Sequence, residues 1–279
     1  MNAAGRLFLV ALPIGNLADI TLRAIETLQS VDFILAEDTR TTRRVLDHHG
    51  IRTPFYSSLY QGVERERAEE ITRLLLQGKT LALVSDAGTP LISDPGFPLV
   101  RAAIDAGVVV QPVPGPTALV AAVVASGVAT DRFCFDGALP RRRGHRAEFF
   151  SNLMHEPRTT VVYESPHRLL ESLELLMEAL PERRVVLARE LTKIHEEFLR
   201  GTAAEILAIL RGRDEVRGEC VLVIEGGSPP GEETRDAAAE AILSALQDEG
   251  LSKPVLQKIL QAVGVSRNRA YDWVHRESD

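Results

Sequence analysis

The chain has 279 residues, 45% of them hydrophobic, and a formal net charge of −7 at pH 7. That length implies roughly two domains, the apolar content excludes a disordered chain, and the acidic balance excludes a protein that coats nucleic acid through a whole basic face. No apolar run approaches the ~20 residues of a membrane-spanning helix, and the start passes straight into a strand-like segment, so no signal peptide is read and a cytoplasmic protein is expected. Cys134 and Cys220 each sit inside an apolar strand-like run and are read as buried thiols. The seven histidines show no ligand spacing, so no metal is expected.

From Arg6 to Pro114 strand-like and helix-like segments alternate, the pattern of an open, mostly parallel sheet with helices on its faces. Strands are expected at 7–12, 31–36, 80–85 and 108–113, each a short Val/Leu/Ile/Ala run suited to burial on both sides. Helices are expected at 21–29, 41–48, 65–76 and 99–106, several of them closed by Gly50, Gly78 or Gly107. A boundary falls near 112–116, followed by a helix at 117–126 and strands at 133–136, 159–164, 185–190, 196–201 and 219–225. The last two pairs need antiparallel partners, which makes the second sheet mixed. A Gly/Pro/Ser linker at 226–231 leads to three helical stretches, 235–247, 253–262 and 267–276. The division is therefore 1–114, 117–226 and a helical tail at 232–279.

Three loops at strand ends carry the chemistry. Pro13-Ile14-Gly15-Asn16-Leu17 lacks both the G-x-G-x-x-G spacing and the G-K-[ST] ending, which argues against dinucleotide and nucleoside-triphosphate sites. Ser85-Asp86-Ala87-Gly88-Thr89-Pro90-Leu91-Ile92-Ser93-Asp94-Pro95-Gly96 spends twelve residues where a turn needs about four. Its many backbone donors and small side chains suit close approach by a ligand. Val113-Pro114-Gly115-Pro116-Thr117-Ala118 opens a helix N-terminus between rigid prolines. Open α/β sheets bind ligands at this carboxyl edge.

Two polar clusters could meet a phosphate backbone. Glu37-Asp38-Thr39-Arg40 ends the second strand, and its Arg40 would suit a phosphate or a ribose. Arg141-Arg142-Arg143-Gly144-His145-Arg146 is read as a Pro140/Gly144 loop whose long cations reach outward. The alternative for both is a solvated surface.

These motifs, with Tyr163-Glu164-Ser165-Pro166-His167-Arg168, stand in an order and spacing that closely resemble the ribosomal RNA small subunit methyltransferase I family of the tetrapyrrole-methylase-like superfamily, over about residues 6–226. The resemblance implies a two-domain α/β fold plus a small helical C-terminal appendage. It further implies methyl transfer from S-adenosylmethionine to the ribose 2′-hydroxyl of a decoding-region cytidine in 16S ribosomal RNA, by a homodimer acting on the small ribosomal subunit. The donor would lie against Leu12, Pro13, Gly15, Asp86, Gly88, Ile92, Ser93, Thr117, Ala118, Tyr163, Glu164 and Cys220. The RNA would meet Arg40, Arg141, Arg142, Arg143, Arg146 and Arg168. A weak ribose nucleophile needs a base or an oxyanion-stabilising cation, for which Lys193, Asp94, Glu190 and His167 are the candidates, Lys193 preferred and then Asp94. Competing readings are a tetrapyrrole methyltransferase and a non-catalytic ribosome-assembly factor. The tail, which carries Arg267, Arg269 and Arg276, could dock RNA or pack as a dimer or lid element.

Overall fold

The computed structural model describes residues 5–59, 64–227, 239, 241–246 and 251–275. The chain divides into two compact units, the first holding both sheets and the second holding the chain from Gly226 onward.

The first sheet contains β1 (Arg6–Val10), β2 (Phe33–Ala36), β3 (Phe55–Ser58), β4 (Leu81–Leu83) and β5 (Val109–Val113), in the order β3-β2-β4-β1-β5. All four pairings are parallel. Strand β3 was not expected from sequence: its Phe-Tyr-Ser-Ser run is half-buried throughout and sits at the sheet edge, without the apolar continuity of the other strands. Crossovers are made by α1 (Leu22–Ser30), α2 (Thr39–His48), α3 (Glu64–Leu76) and α4 (Phe97–Asp105). Thr21 caps α1 by accepting the Ala24 N–H, and Asp38 caps α2 by accepting the Arg40 N–H. Gly50, Gly78 and Gly107 follow their helices with φ of +68°, +93° and +76°, the left-handed closure that their spacing predicts. Each face of the sheet has its own core, one built around Leu28, Ile34 and Leu46, the other around Leu7, Ile71 and Leu99.

The second sheet is mixed, as expected. Its strands are β6 (Phe133–Ala138), β7 (Thr159–Glu164), β8 (Arg184–Arg189), β9 (Glu197–Thr202) and β10 (Cys220–Ile224), ordered β6-β7-β10-β8-β9. Only β6 and β7 run parallel; β10 is antiparallel to both neighbours. One face is covered by α6 (Arg143–Asn152), α7 (Leu169–Ala179) and α8 (Ala203–Arg211). The other packs on α5 (Ala118–Ser126), which is apolar all round. Ile14, from the loop after β1, belongs to that same core, so the two sheets share a packed layer within one unit.

The second unit has a small core of its own, in which Leu256 and Leu260 of helix Lys253–Ala262 meet Ala270 and Trp273 of helix Arg267–His275. Of the stretch expected at 235–247, only 239 and 241–246 lie within the described residues, where they are helical; 228–231 and Arg276 lie outside them. Among the described residues no helix is long and apolar enough to cross a membrane.

Candidate active site

The three strand-end loops are bonded to one another. Leu12 and Gly88 exchange reciprocal backbone hydrogen bonds of 2.9 Å each, fastening the loop after β1 to the long loop after β4. Thr89 Oγ1 donates to Pro116 O at 3.1 Å and so ties that long loop to the one before α5. Inside the long loop Leu91 and Ser93 hold φ of +73° and +69°. Two side-chain-bearing residues in the left-handed region cost of order 1–3 kcal/mol each, and such strain persists where surrounding contacts over-determine it.

Facing these loops is the end of β7 and the start of β10, where Glu164 and Cys220 are antiparallel partners. Between them lies a cavity of about 540 Å³, within the range that takes a drug-sized ligand. Its lining includes Ile14, Ile92, Thr117, Tyr163 and Val221 as apolar or hydroxyl surface, together with five carboxylates, Glu37, Asp86, Asp94, Glu164 and Glu219. Among the described residues no Lys, Arg or His contributes to it. Burial pushes the Asp94 carboxyl up to about 6, with a Ser85 hydrogen bond opposing the shift and the Asp86 charge adding to it. Burial likewise raises Glu37, helped by the charges of Asp86 and Asp94. A negative, partly desolvated cavity of this kind suits a cationic ligand.

The turn after β8 is the second strained element. Glu190 and Thr192 have φ of +53° and +64°, and Thr192 is β-branched, the residue type least suited to that region. Lys193 Nζ pairs with Glu190 Oε1 at 2.8 Å and with Glu219 Oε2 at 3.3 Å, so the turn is anchored to a cavity-lining carboxylate. Partial burial lowers the Lys193 pKa, but the Glu190 hydrogen bond and the two carboxylate charges outweigh it and the net shift is upward. Gly15 lies against this turn: a Cβ there would meet Lys193 Cγ at 2.5 Å and Thr192 Oγ1 at 2.9 Å.

Nine of the expected donor contacts, Asp86, Gly88, Ile92, Ser93, Thr117, Ala118, Tyr163, Glu164 and Cys220, line the cavity. Leu12 and Pro13 are buried and do not line it, and Gly15 faces the Lys193 turn. The Glu164 carboxylate is already committed to Ser165 N–H, Ser172 Oγ–H and Arg168. Of the four candidates for proton or charge handling only Asp94 lines the cavity; Lys193 and Glu190 stand behind Glu219, and His167 is exposed beyond Pro166. Sequence reasoning did not single out Glu219 as a site residue. Its signal was its place immediately before a buried strand whose first residues pair with Glu164 and Tyr163.

One expectation needs correction. The basic run is not a loop with four outward cations: Arg143–Asn152 is helix α6, and Arg146 on its inner face is fully buried. Its guanidinium donates to Pro140 O, Arg141 O and Glu171. Residues 146 and 150 are one helical turn apart, so Arg146 shares the face of the buried Phe150 and cannot reach solvent. Arg143 pairs with Glu171 at 3.2 Å, and Arg168 is held by Glu164 and Pro140 O. Arg141 and Arg142 are exposed, and their side chains make no hydrogen bond or ion pair among the described residues. Arg40 is also outward, its side chain 89% exposed while its guanidinium pairs with Asp38. In the tail, Trp273 is buried in the second unit's own core.

Comparison with known proteins fixes the family. The family model described as Tetrapyrrole (Corrin/Porphyrin) Methylases matches residues 6–207. Ribosomal RNA small subunit methyltransferase I of Escherichia coli O157:H7 is 45% identical over 274 residues, covering 98% of this chain and 95% of that protein. The chain belongs to the ribosomal RNA small subunit methyltransferase I family. The same-named protein of a Synechocystis species is 47% identical over 268 residues, covering 95% of this chain and 90% of its own. Among solved structures, uroporphyrin-III C-methyl transferase from Thermus thermophilus complexed with S-adenyl homocysteine has a TM-score of 0.52 at 22% identity, over 79% of this chain and 97% of that one. At that identity the likeness shows a shared tetrapyrrole-methylase fold.

Proposed function

We propose that the protein transfers a methyl group from S-adenosylmethionine to the ribose 2′-hydroxyl of a cytidine in the decoding region of 16S ribosomal RNA, within the small ribosomal subunit. The observation that carries this reading is the family likeness over 98% of the chain. The cavity supports it: a sulfonium is a cation, and the space is lined by five carboxylates and, among the described residues, by no basic one. The donor would be held by the nine lining residues named above and would supply an electrophilic methyl carbon. The chain's part is alignment, which is worth up to ~7–11 kcal/mol in favourable intramolecular reactions.

Asp94 is the residue to accept the ribose proton. A carboxyl near 6 is ionised at neutral pH yet basic enough to take a proton as the oxygen–carbon bond forms. Lys193 has the opposite property. Its raised pKa keeps it an ammonium, so it acts as a fixed charge that holds Glu190 and Glu219, and not as a base. The acid side chains of a tetrapyrrole precursor would face the same five carboxylates with no cation in the lining among the described residues, which disfavours that substrate.

The test is incubation of the purified protein with isotopically labelled S-adenosylmethionine and small subunits from cells lacking the gene, followed by nucleoside mass spectrometry. Label in 2′-O-methylcytidine is the expected result. Label on a base, or on a corrin or porphyrin precursor only, overturns the reading. Light scattering on the same preparation checks the homodimer that the family resemblance implies.

A further inference from the structure

We propose that buried Arg146 is a positioning residue, which with Arg168 braces segment 140–142 so that the free guanidinium groups of Arg141 and Arg142 stand beside the cavity and grip RNA phosphates. The inference rests on the ribosomal RNA reading above and adds the surface and the brace that aims it.

The connection to the cavity is short. The residue leaving β6, Leu139, donates its N–H to the O of cavity-lining Tyr163 at 3.0 Å. One hydrogen bond further, Pro140 O accepts from two guanidinium groups, Arg146 Nη1 at 3.0 Å and Arg168 Nη1 at 3.2 Å. Arg168 is anchored in turn on Glu164 of the cavity wall at 2.7 Å. Arg146 Nη1 also reaches Arg141 O at 3.3 Å, so two successive carbonyls are clamped immediately before α6.

Packing alone does not account for an arginine at this place. Arg146 is 0% exposed and its Nε is left without a partner, whereas its counter-ion Glu171 is 43% exposed. A buried charge with an orphaned donor stabilises less than an apolar side chain of similar volume. What an apolar side chain cannot supply is a planar fork that fixes two carbonyls and a carboxylate at once. The clamp leaves exposed the two neighbouring cations that have no partner among the described residues.

The experiment compares wild type, Arg146→Met, the double variant R141A/R142A and their combination, with Glu171→Gln as a milder release of the brace. Small-subunit binding is measured between 50 and 200 mM salt, S-adenosylmethionine affinity by calorimetry, and tryptic cleavage after Arg141 and Arg142 by mass spectrometry. The double variant is expected to lose roughly tenfold in particle affinity and to flatten the salt slope by roughly 1.5. Arg146→Met is expected to lose a similar amount with donor affinity unchanged, to be cut at this segment several-fold faster, and to add nothing to the double variant. Additive losses, or unchanged cleavage in both Arg146→Met and Glu171→Gln, overturn the brace. A double variant that binds particles like wild type overturns this surface as the RNA grip. Failure of wild type to bind any ribosomal particle is the distinct failure of the parent reading, and the cleavage comparison then decides the brace by itself.

Discussion

Glu190 and Gly218 share one volume: the Glu190 carboxylate occupies the place where a Cβ at position 218 would project, and Gly218 itself holds φ of +91°. From that place Glu190 Oε1 accepts both the Lys193 ammonium and the Glu219 N–H, at 2.8 and 3.1 Å. Gly218→Ala therefore strains its own backbone and evicts the carboxylate that organises Lys193 and Glu219. A loss of about 1–3 kcal/mol in denaturant unfolding is expected, with a fall in turnover larger than that destabilisation explains. Full activity in a folded Gly218→Ala protein would show that the turn after β8 has no part in the reaction.

Lys193→Met tests the fixed-charge role. Glu190 and Glu219 would then face each other without their cation, so kcat is expected to drop by roughly 10²-fold while KM for the methyl donor stays within a few-fold. Stability should fall by under about 1 kcal/mol, the pair being partly exposed. Lys193→Arg keeps the charge and should recover part of the loss. Because the lysine pKa is raised, its contribution to stability is present at neutral pH and is lost only above its usual titration range. A pH–rate profile with no limb from this residue between pH 6 and 9 is the matching observation.

How much of this was legible in the sequence differs from element to element. Strand β7 has the expected bounds, 159–164, because it is an unbroken run in a buried sheet position. Helix α2 begins two residues earlier than its periodicity suggests, since Asp38 caps it and the first turn is polar. The basic run misled because three consecutive arginines and Gly144 read as a solvated loop. The spacing of Arg146, Phe150 and Leu153 is helical, and those three residues are buried together. Fold came from apolar runs, which are local. Glu190 also meets the Glu219 N–H and Arg146 meets Glu171, contacts that span 29 and 25 residues, and no local pattern announces those.

Asp94 makes a prediction with two signs. Its carboxyl is raised from 3.8 to about 6 in the folded protein, so between those values the folded state binds more protons than the unfolded one. Stability from this group is full below about pH 4 and is lost as pH rises through about 6. Asp94→Asn removes the charge that is disfavoured, and should raise the unfolding free energy at pH 7.5 by about 1 kcal/mol once solvent screening is allowed for. The gain should shrink as pH is lowered below about 6. Activity should move the other way. Wild type should lose rate below about pH 6, while Asp94→Asn should be slow throughout and lack that limb. A wild-type acid limb that survives in Asp94→Asn would assign the base elsewhere.

Cys220 offers the cheapest probe of the cavity wall. It is 3% exposed at the start of β10, and burial pushes its thiol up to about 12, against a small opposing pull from Arg189. The thiolate is the reactive form, so at pH 8 only on the order of one part in 10⁴ of the folded protein carries it. Iodoacetamide at pH 8 should leave Cys220 unmodified for as long as the protein stays folded and should label it promptly in denaturant. Because Cys220 lines the cavity beside Glu164 and Glu219, Cys220→Ser should keep the fold while altering donor affinity more than kcat. Rapid labelling of Cys220 in folded protein would mean that the β10 edge opens to solvent, and the desolvated cavity on which the Asp94 argument depends would go with it.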